Sequence, residues 1–211
     1  MIAMEQETKK KTAAEVRKEE CERITSELEQ QGYRCENATI SILKANLMVF
    51  ATSVPVCVFF AVIYALANGG YSRLSEANGW ALFPILVLLS IPVHELLHGL
   101  GWLPSCKNGW KSIRFGMMWS SLTPYCNCKE PMGVKNYYLG LLMPFTVLGL
   151  LPSAAAIPAG SMTMLAFGLM NILFAGGDLT IALVIRKYIG KQAVLLDHPS
   201  ECGSLAFIRE A

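Results

Sequence analysis

The chain has 211 residues, 53% of them hydrophobic, with a mean hydropathy of +0.40 and only 16% charged. Soluble domains carry about a quarter charged residues, so the composition argues against an ordinary soluble protein. The N-terminal segment, with nine acids against eight bases through Lys44, lacks the basic excess that a nucleic-acid site requires, and no nucleic-acid partner is expected.

Glu5 to Gln31 reads as a helix of mixed charge with Gly32 as its stop, and its nearly balanced acids and bases describe a solvated surface. "YRCENATISILKAN" then alternates like a short strand. Between Lys44 and Arg73 lie 28 uncharged residues, and between Lys135 and Asp178 lie 42. A bilayer core takes about 20 helical residues. The first run holds one span, Ala45 to Asn68, and a second follows at Trp80 to Leu103. The 42-residue run holds two more, Tyr137 to Ile157 and Met162 to Ile185, broken by "IPAGS". The loop from Pro104 to Asn136 contains "SIRFGMMWSSLTPYCNC", rich in β-branched and aromatic residues, which reads as one strand or two. Such backbone is tolerated at membrane depth only against protein or a water-filled cavity. It is expected to dip toward whatever site the second span carries, with a surface hairpin as the alternative. "SLAFIRE" near the C-terminus is also strand-like.

The expected fold is therefore mainly α: a polytopic membrane protein of about four transmembrane helices, with a short β-rich segment between the second and third. The expected divisions are an N-terminal segment 1–44, a membrane domain 45–187 and a C-terminal tail 188–211. Four crossings put 17 of the 18 basic residues on one side. Lys and Arg accumulate on the cytoplasmic side, so both termini are expected in the cytosol of a bacterial, multi-pass membrane protein. The seven cysteines lie in the spans or on that reducing side, where structural disulfides are not expected. Cys126 and Cys128 lack zinc-ribbon spacing and read as free thiols.

The second span carries His94, Glu95 and His98, the pattern H-E-x-x-H. Residues four apart on a helix share a face, so both imidazoles can hold one metal, with Glu95 beside them as a base. Zinc is the default ion for imidazole and carboxylate ligands and lowers the pKa of its water to about 7. Ionisable groups at a helix centre cost roughly 2.5–3.5 kcal/mol each, which makes them functional candidates. Catalytic zinc wants a third protein ligand. Asp178 is the one charged residue between Lys135 and Arg186. His98 lies nine residues before Lys107 and Asp178 eight before Arg186. Both then sit roughly 12–14 Å from the same margin at about 1.5 Å per residue. Antiparallel neighbours would bring them level. Asn171, two turns before Asp178, could donate to a substrate carbonyl or oxyanion, or serve as a buried interhelical contact. Pro92 removes a helix hydrogen bond and could open the second span to water, or be an ordinary membrane-helix proline. Asp197 and His198 read as a turn with an incidental histidine.

These residues resemble known enzymes. HExxH within a membrane helix, a β-like loop and a later aspartate resemble the site-2 protease type of intramembrane metalloprotease. "HELLHGL", "TPYCNCKEP", "MPFTVLGLLPS", "NILFAGGDL" and "LLDHPSECG" more closely resemble a family described as putative zincin peptidases, over residues 35–207. The resemblance implies His94, His98 and Asp178 as zinc ligands and Glu95 as the catalytic acid/base. Site-2 proteases usually carry Asn-x-x-Pro-x-Pro and Leu-Asp-Gly arrangements. Here those prolines are missing and Leu179 follows Asp178. The expected function is an intramembrane zinc metalloendopeptidase that hydrolyses peptide or membrane-protein substrates with zinc-activated water. The alternative is a membrane protein with a non-catalytic structural or regulatory metal site.

Overall fold

Thr12 opens the first helix with a capping box. Its hydroxyl accepts the Glu15 backbone N–H, and its own N–H donates to the Glu15 carboxylate at 2.7 Å. The computed structural model describes residues 12–70, 77–118 and 123–209, so the first residues of the predicted N-terminal helix lie outside the described residues. Helix α1 runs Ala13–Gln30 and ends at Gly32, whose φ of 82° glycine adopts without strain. Cys21 and Ile24 on α1 pack with Leu196 and Phe207 from the C-terminal segment. The hydrophobic contacts of α1 thus lie against the far end of the chain.

That end is a sheet. Strands β1 (Tyr33–Ile40), β4 (Met132–Gly133), β5 (Ala193–Asp197) and β6 (Cys202–Arg209) pair in the order β1-β6-β5-β4, antiparallel throughout. Tyr33 faces Arg209 and Ile40 faces Cys202. The three segments that the charge map puts on one side, N-terminal, central loop and C-terminal, therefore meet in one sheet. The β-rich loop forms two strands, β2 (Ile113–Met118) and β3 (Thr123–Cys128), paired as an antiparallel ribbon of their own.

The remainder is helical. α2 (Ile42–Asn68) and α3 (Ala77–Trp102) each form one uninterrupted helix, α3 running through both Pro84 and Pro92. α4 (Val134–Pro144) continues through a π-helical stretch, Phe145–Leu150, into α5 (Leu151–Ala159). That stretch lies between Pro144 and Pro152, whose missing N–H groups loosen the helical ladder. The predicted break at "IPAGS" is a left-handed turn at Gly160. The predicted final span differs from expectation. It is two helices, α6 (Met162–Phe174) and α7 (Gly176–Ile185), bent by 46° at Ala175. The paired glycines 176 and 177 lower helix propensity there. The bend also lets Gly176 press on α2, where an added Cβ would meet Val49 at 2.5 Å.

Among the described residues, three helical stretches are long and apolar enough to cross a membrane: Leu47–Asn68, Trp80–Ser105 and Val134–Ala159. The bent pair makes a fourth if counted as one span. Their burial is inside-out relative to a soluble domain. Leu47, Phe50, Phe59 and Leu66 on α2 are more than half exposed, while Ser53 is fully buried and Tyr64 nearly so. So large an exposed apolar surface suits a lipid environment, consistent with a membrane protein. Small residues bring helices together instead. At Gly101 a Cβ would stand 2.5 Å from the Cα of Gly140, so α3 and α4 touch backbone to backbone.

Candidate metal centre

His94 and His98 lie one turn apart on α3, and Asp178 lies in the first turn of α7. The fold brings all three together. His94 Nε2 is 3.1 Å from Asp178 Oδ2, His98 Nε2 is 3.2 Å from His94 Nε2, and His98 Nε2 is 3.4 Å from Asp178 Oδ1. His98 is buried, and the side chains of His94 and Asp178 are nearly so. The placement of Asp178 also has a local logic, because a carboxylate near a helix N-terminus is stabilised by the helix dipole.

The protonation pattern constrains this trio. A carbonyl can only accept, so His98 Nδ1, 3.0 Å from the carbonyl oxygen of Gly140, carries the proton. In the neutral ring His98 Nε2 then presents a lone pair. It faces a carboxylate oxygen at 3.4 Å and a second imidazole nitrogen at 3.2 Å. With both imidazoles neutral, as metal ligands must be, His94 can donate toward one of them but not both, which leaves acceptors facing each other. A cation between them resolves the repulsion. Tetrahedral zinc with ligand bonds of about 2.0–2.2 Å separates its ligand atoms by about 3.3–3.5 Å. The distances of 3.1, 3.2 and 3.4 Å approach that spacing, and the donor set of two imidazoles and one carboxylate fits zinc.

Glu95 is half-buried beside the ligands, with the backbone N–H of Cys126 toward its carboxylate. The four residues line a cavity of about 330 Å3. Its walls include Tyr125 and Cys126 of β3, so the β-rich loop does reach the site that the second span carries. Cys126 and Cys128 are not part of the His94, His98 and Asp178 cluster, and burial pushes both thiols well up. Glu130 is engaged elsewhere, bound by the loop that follows α3.

Asn171 is not brought to this site. Its amide donates to the Phe167 carbonyl at 2.9 Å, its side chain is buried between helices, and it does not line the cavity. The reason is the bend at Ala175. A two-turn relation holds only along one straight helix, and α6 and α7 are two. Pro92 does not interrupt α3.

Other residues at the site carried weak signals or none in the sequence. Trp102 stacks on His98 with ring centroids 5.4 Å apart and planes 14° apart, one turn further along α3. That spacing was legible, since it continues the i, i+4 row. Tyr137, Asp197 and Arg17 line the cavity from α4, β5 and α1 and have no sequence pattern tying them to H-E-x-x-H. His198 lines it too, and its Nδ1 accepts the backbone N–H groups of Ser200 and Glu201, so it also caps its own turn.

No curated protein and no solved structure matches the chain. Residues 87–192 match the family described as "Putative zincin peptidase". That stretch contains all four site residues and is half of the chain, and the protein belongs to this family.

Proposed function

We propose that the protein is an intramembrane zinc metalloendopeptidase in which His94, His98 and Asp178 hold the metal and Glu95 moves the proton. The observation that carries this reading is the convergence of two imidazole nitrogens and the Asp178 carboxylate, within 3.1–3.4 Å of one another, with a glutamate beside them in a cavity. Zinc held there would supply Lewis acidity, activating water and polarising a carbonyl. The chain's own residues do the rest. Glu95 accepts the proton of the attacking water and returns it to the leaving amine. His98 keeps Nε2 directed at the metal because Gly140 holds its other nitrogen. β3 is paired on one edge only among the described residues, and it lines the cavity. An extended peptide can lie along this wall, while a helical segment must first unwind to bring a peptide bond to the metal.

Three features support the membrane setting: the inside-out burial of α2, the apolar length of the spans and the accumulation of basic residues on one side. In this reading both termini and the four-stranded antiparallel sheet face the cytosol, and the site opens toward them.

Glu95→Gln tests the reading. The variant is expected to bind zinc as the wild type does and to lose cleavage of a membrane-protein substrate in proteoliposomes. Cleavage retained by Glu95→Gln would overturn the proposed chemistry. A wild type that binds zinc yet cleaves nothing would favour a regulatory metal site.

A further inference from the structure

The tail after α7 returns to the site as β5, whose last residue is Asp197. Its carboxylate takes two hydrogen bonds. Oδ2 accepts the Cys128 backbone N–H at 2.9 Å, and Oδ1 accepts the Tyr137 hydroxyl at 2.6 Å. Tyr137 is 2% exposed and stands in the first turn of α4. Its carbonyl accepts the indole N–H of Trp102 at 3.0 Å. The Trp102 ring lies nearly parallel to the His98 imidazole, and Gly140, three residues after Tyr137, accepts from His98 Nδ1.

His98 is thus held in its plane by one backbone carbonyl and across its face by one indole. Both holders depend on the first two turns of α4, and that stretch is anchored from below by Asp197. Packing leaves little alternative, because a Cβ on Gly140 would overlap the Trp102 ring at 2.2 Å. Asp197 lies outside the stretch matched to the family, 87–192, and outside the H-E-x-x-H helix.

We propose that Asp197 is a positioning residue for the metal centre, acting through Tyr137 on Trp102 and the Gly140 carbonyl to fix the direction of His98 Nε2. The inference rests on the reading that His94, His98 and Asp178 bind zinc. Asp197 touches none of them by hydrogen bond. Its carboxylate orients a tyrosine, the tyrosine's backbone orients a tryptophan, and the two α4 carbonyls set the ring. Outer partners of this kind tune ligand direction and metal affinity.

The test uses the purified full-length protein in detergent. Zinc affinity is measured by competition with a chelator, and the ligand field by the visible absorption of the Co2+-substituted protein. Asp197→Asn keeps the side-chain shape, and Tyr137→Phe removes only the hydroxyl. Each is expected to weaken zinc binding about 10–100-fold and to shift the Co2+ bands. The double variant is expected to be no weaker than the worse single variant, because the two groups act as one unit. Glu201→Gln is the control, since this acid lines the same cavity but bonds to Thr39. It is expected to leave both readouts unchanged. Wild-type affinity and an unshifted spectrum in Asp197→Asn would overturn the proposal, as would losses that multiply in the double variant. A wild type that binds no zinc would refute the functional reading itself and the inference with it.

Discussion

Nδ1 of His98 donates to the carbonyl oxygen of Gly140 at 3.0 Å, and this bond leaves Nε2 as the nitrogen that faces Asp178 and His94. The bond exists because α3 and α4 touch at Gly101 and Gly140. Any side chain at Gly140 would drive the helices apart or displace Trp102. Gly140→Ala is therefore expected to destabilise the protein by about 1–3 kcal/mol through overpacking and to lower its zinc content. Denaturant unfolding and metal analysis on the same preparation check it, and a variant of wild-type stability and full zinc content would contradict this account.

Removing a ligand has a larger effect than loosening one. His94→Ala and Asp178→Ala are each expected to lose zinc affinity by more than the ~100-fold upper figure for an outer partner. Zinc per chain after gel filtration is the measurement. If Asp178→Ala retains stoichiometric zinc while His94→Ala loses it, Asp178 is not the third ligand. Chelation of the wild type is expected to lower its melting temperature, because an ion that binds only the folded state stabilises it by mass action.

Arg17 joins three parts of the molecule. Its Nε donates to the Pro199 carbonyl at 3.2 Å, one Nη donates to the Tyr125 hydroxyl at 2.6 Å, and the guanidinium lies 5.1 Å over the Tyr125 ring. A second link, Arg114 to Glu20 at 2.8 Å, holds α1 to β2. Arg17→Ala is expected to cost about 1–2 kcal/mol and to speed amide exchange in β3 and in residues 198–203. Unaltered exchange in both segments would show that α1 does not brace the cavity wall.

The loop after α3 is latched by Glu130. Its carboxylate accepts the backbone N–H of Lys107 at 2.7 Å and of Asn108 at 3.3 Å, the Asn108 side-chain amide at 2.9 Å, and the Ser112 hydroxyl. Burial pushes this carboxyl up, but those four bonds outweigh it and hold it below the usual glutamate range. A depressed carboxyl contributes stability that is present above its unfolded pKa and is lost as pH falls through the folded one. The protection of the 107–112 amides, measured relative to their intrinsic exchange rates at each pH, is therefore expected to fall between neutral and acidic pH. Glu130→Gln should show low protection at both ends of that range, and a pH dependence of protection surviving in the variant would assign the effect to another group.

Much of the architecture was legible because it depends on local properties. Uncharged run lengths located the helices, the alternation of "YRCENATISILKAN" located β1, and β-branched and aromatic enrichment located β2 and β3. Asp178 was legible by depth, since two helices counted from one margin meet at equal height. Of the two readings open for Asn171, the structure takes the buried one, because a bend of 46° between α6 and α7 breaks the helical phase that would carry it to the cavity.

The sequence by itself determined the apolar spans, the H-E-x-x-H row on one helix face and the lone aspartate far downstream, because periodicity, charge and solvation cost are properties of short stretches. Only the tertiary structure decided that both ends of the chain and the central loop share one sheet. It also decided that β3 walls the cavity and that Asp197 stands under Tyr137. Those relations depend on strand pairing and side-chain packing between residues as far apart as Tyr33 and Arg209. No local pattern encodes them, because their free energy exists only once the distant surfaces have met.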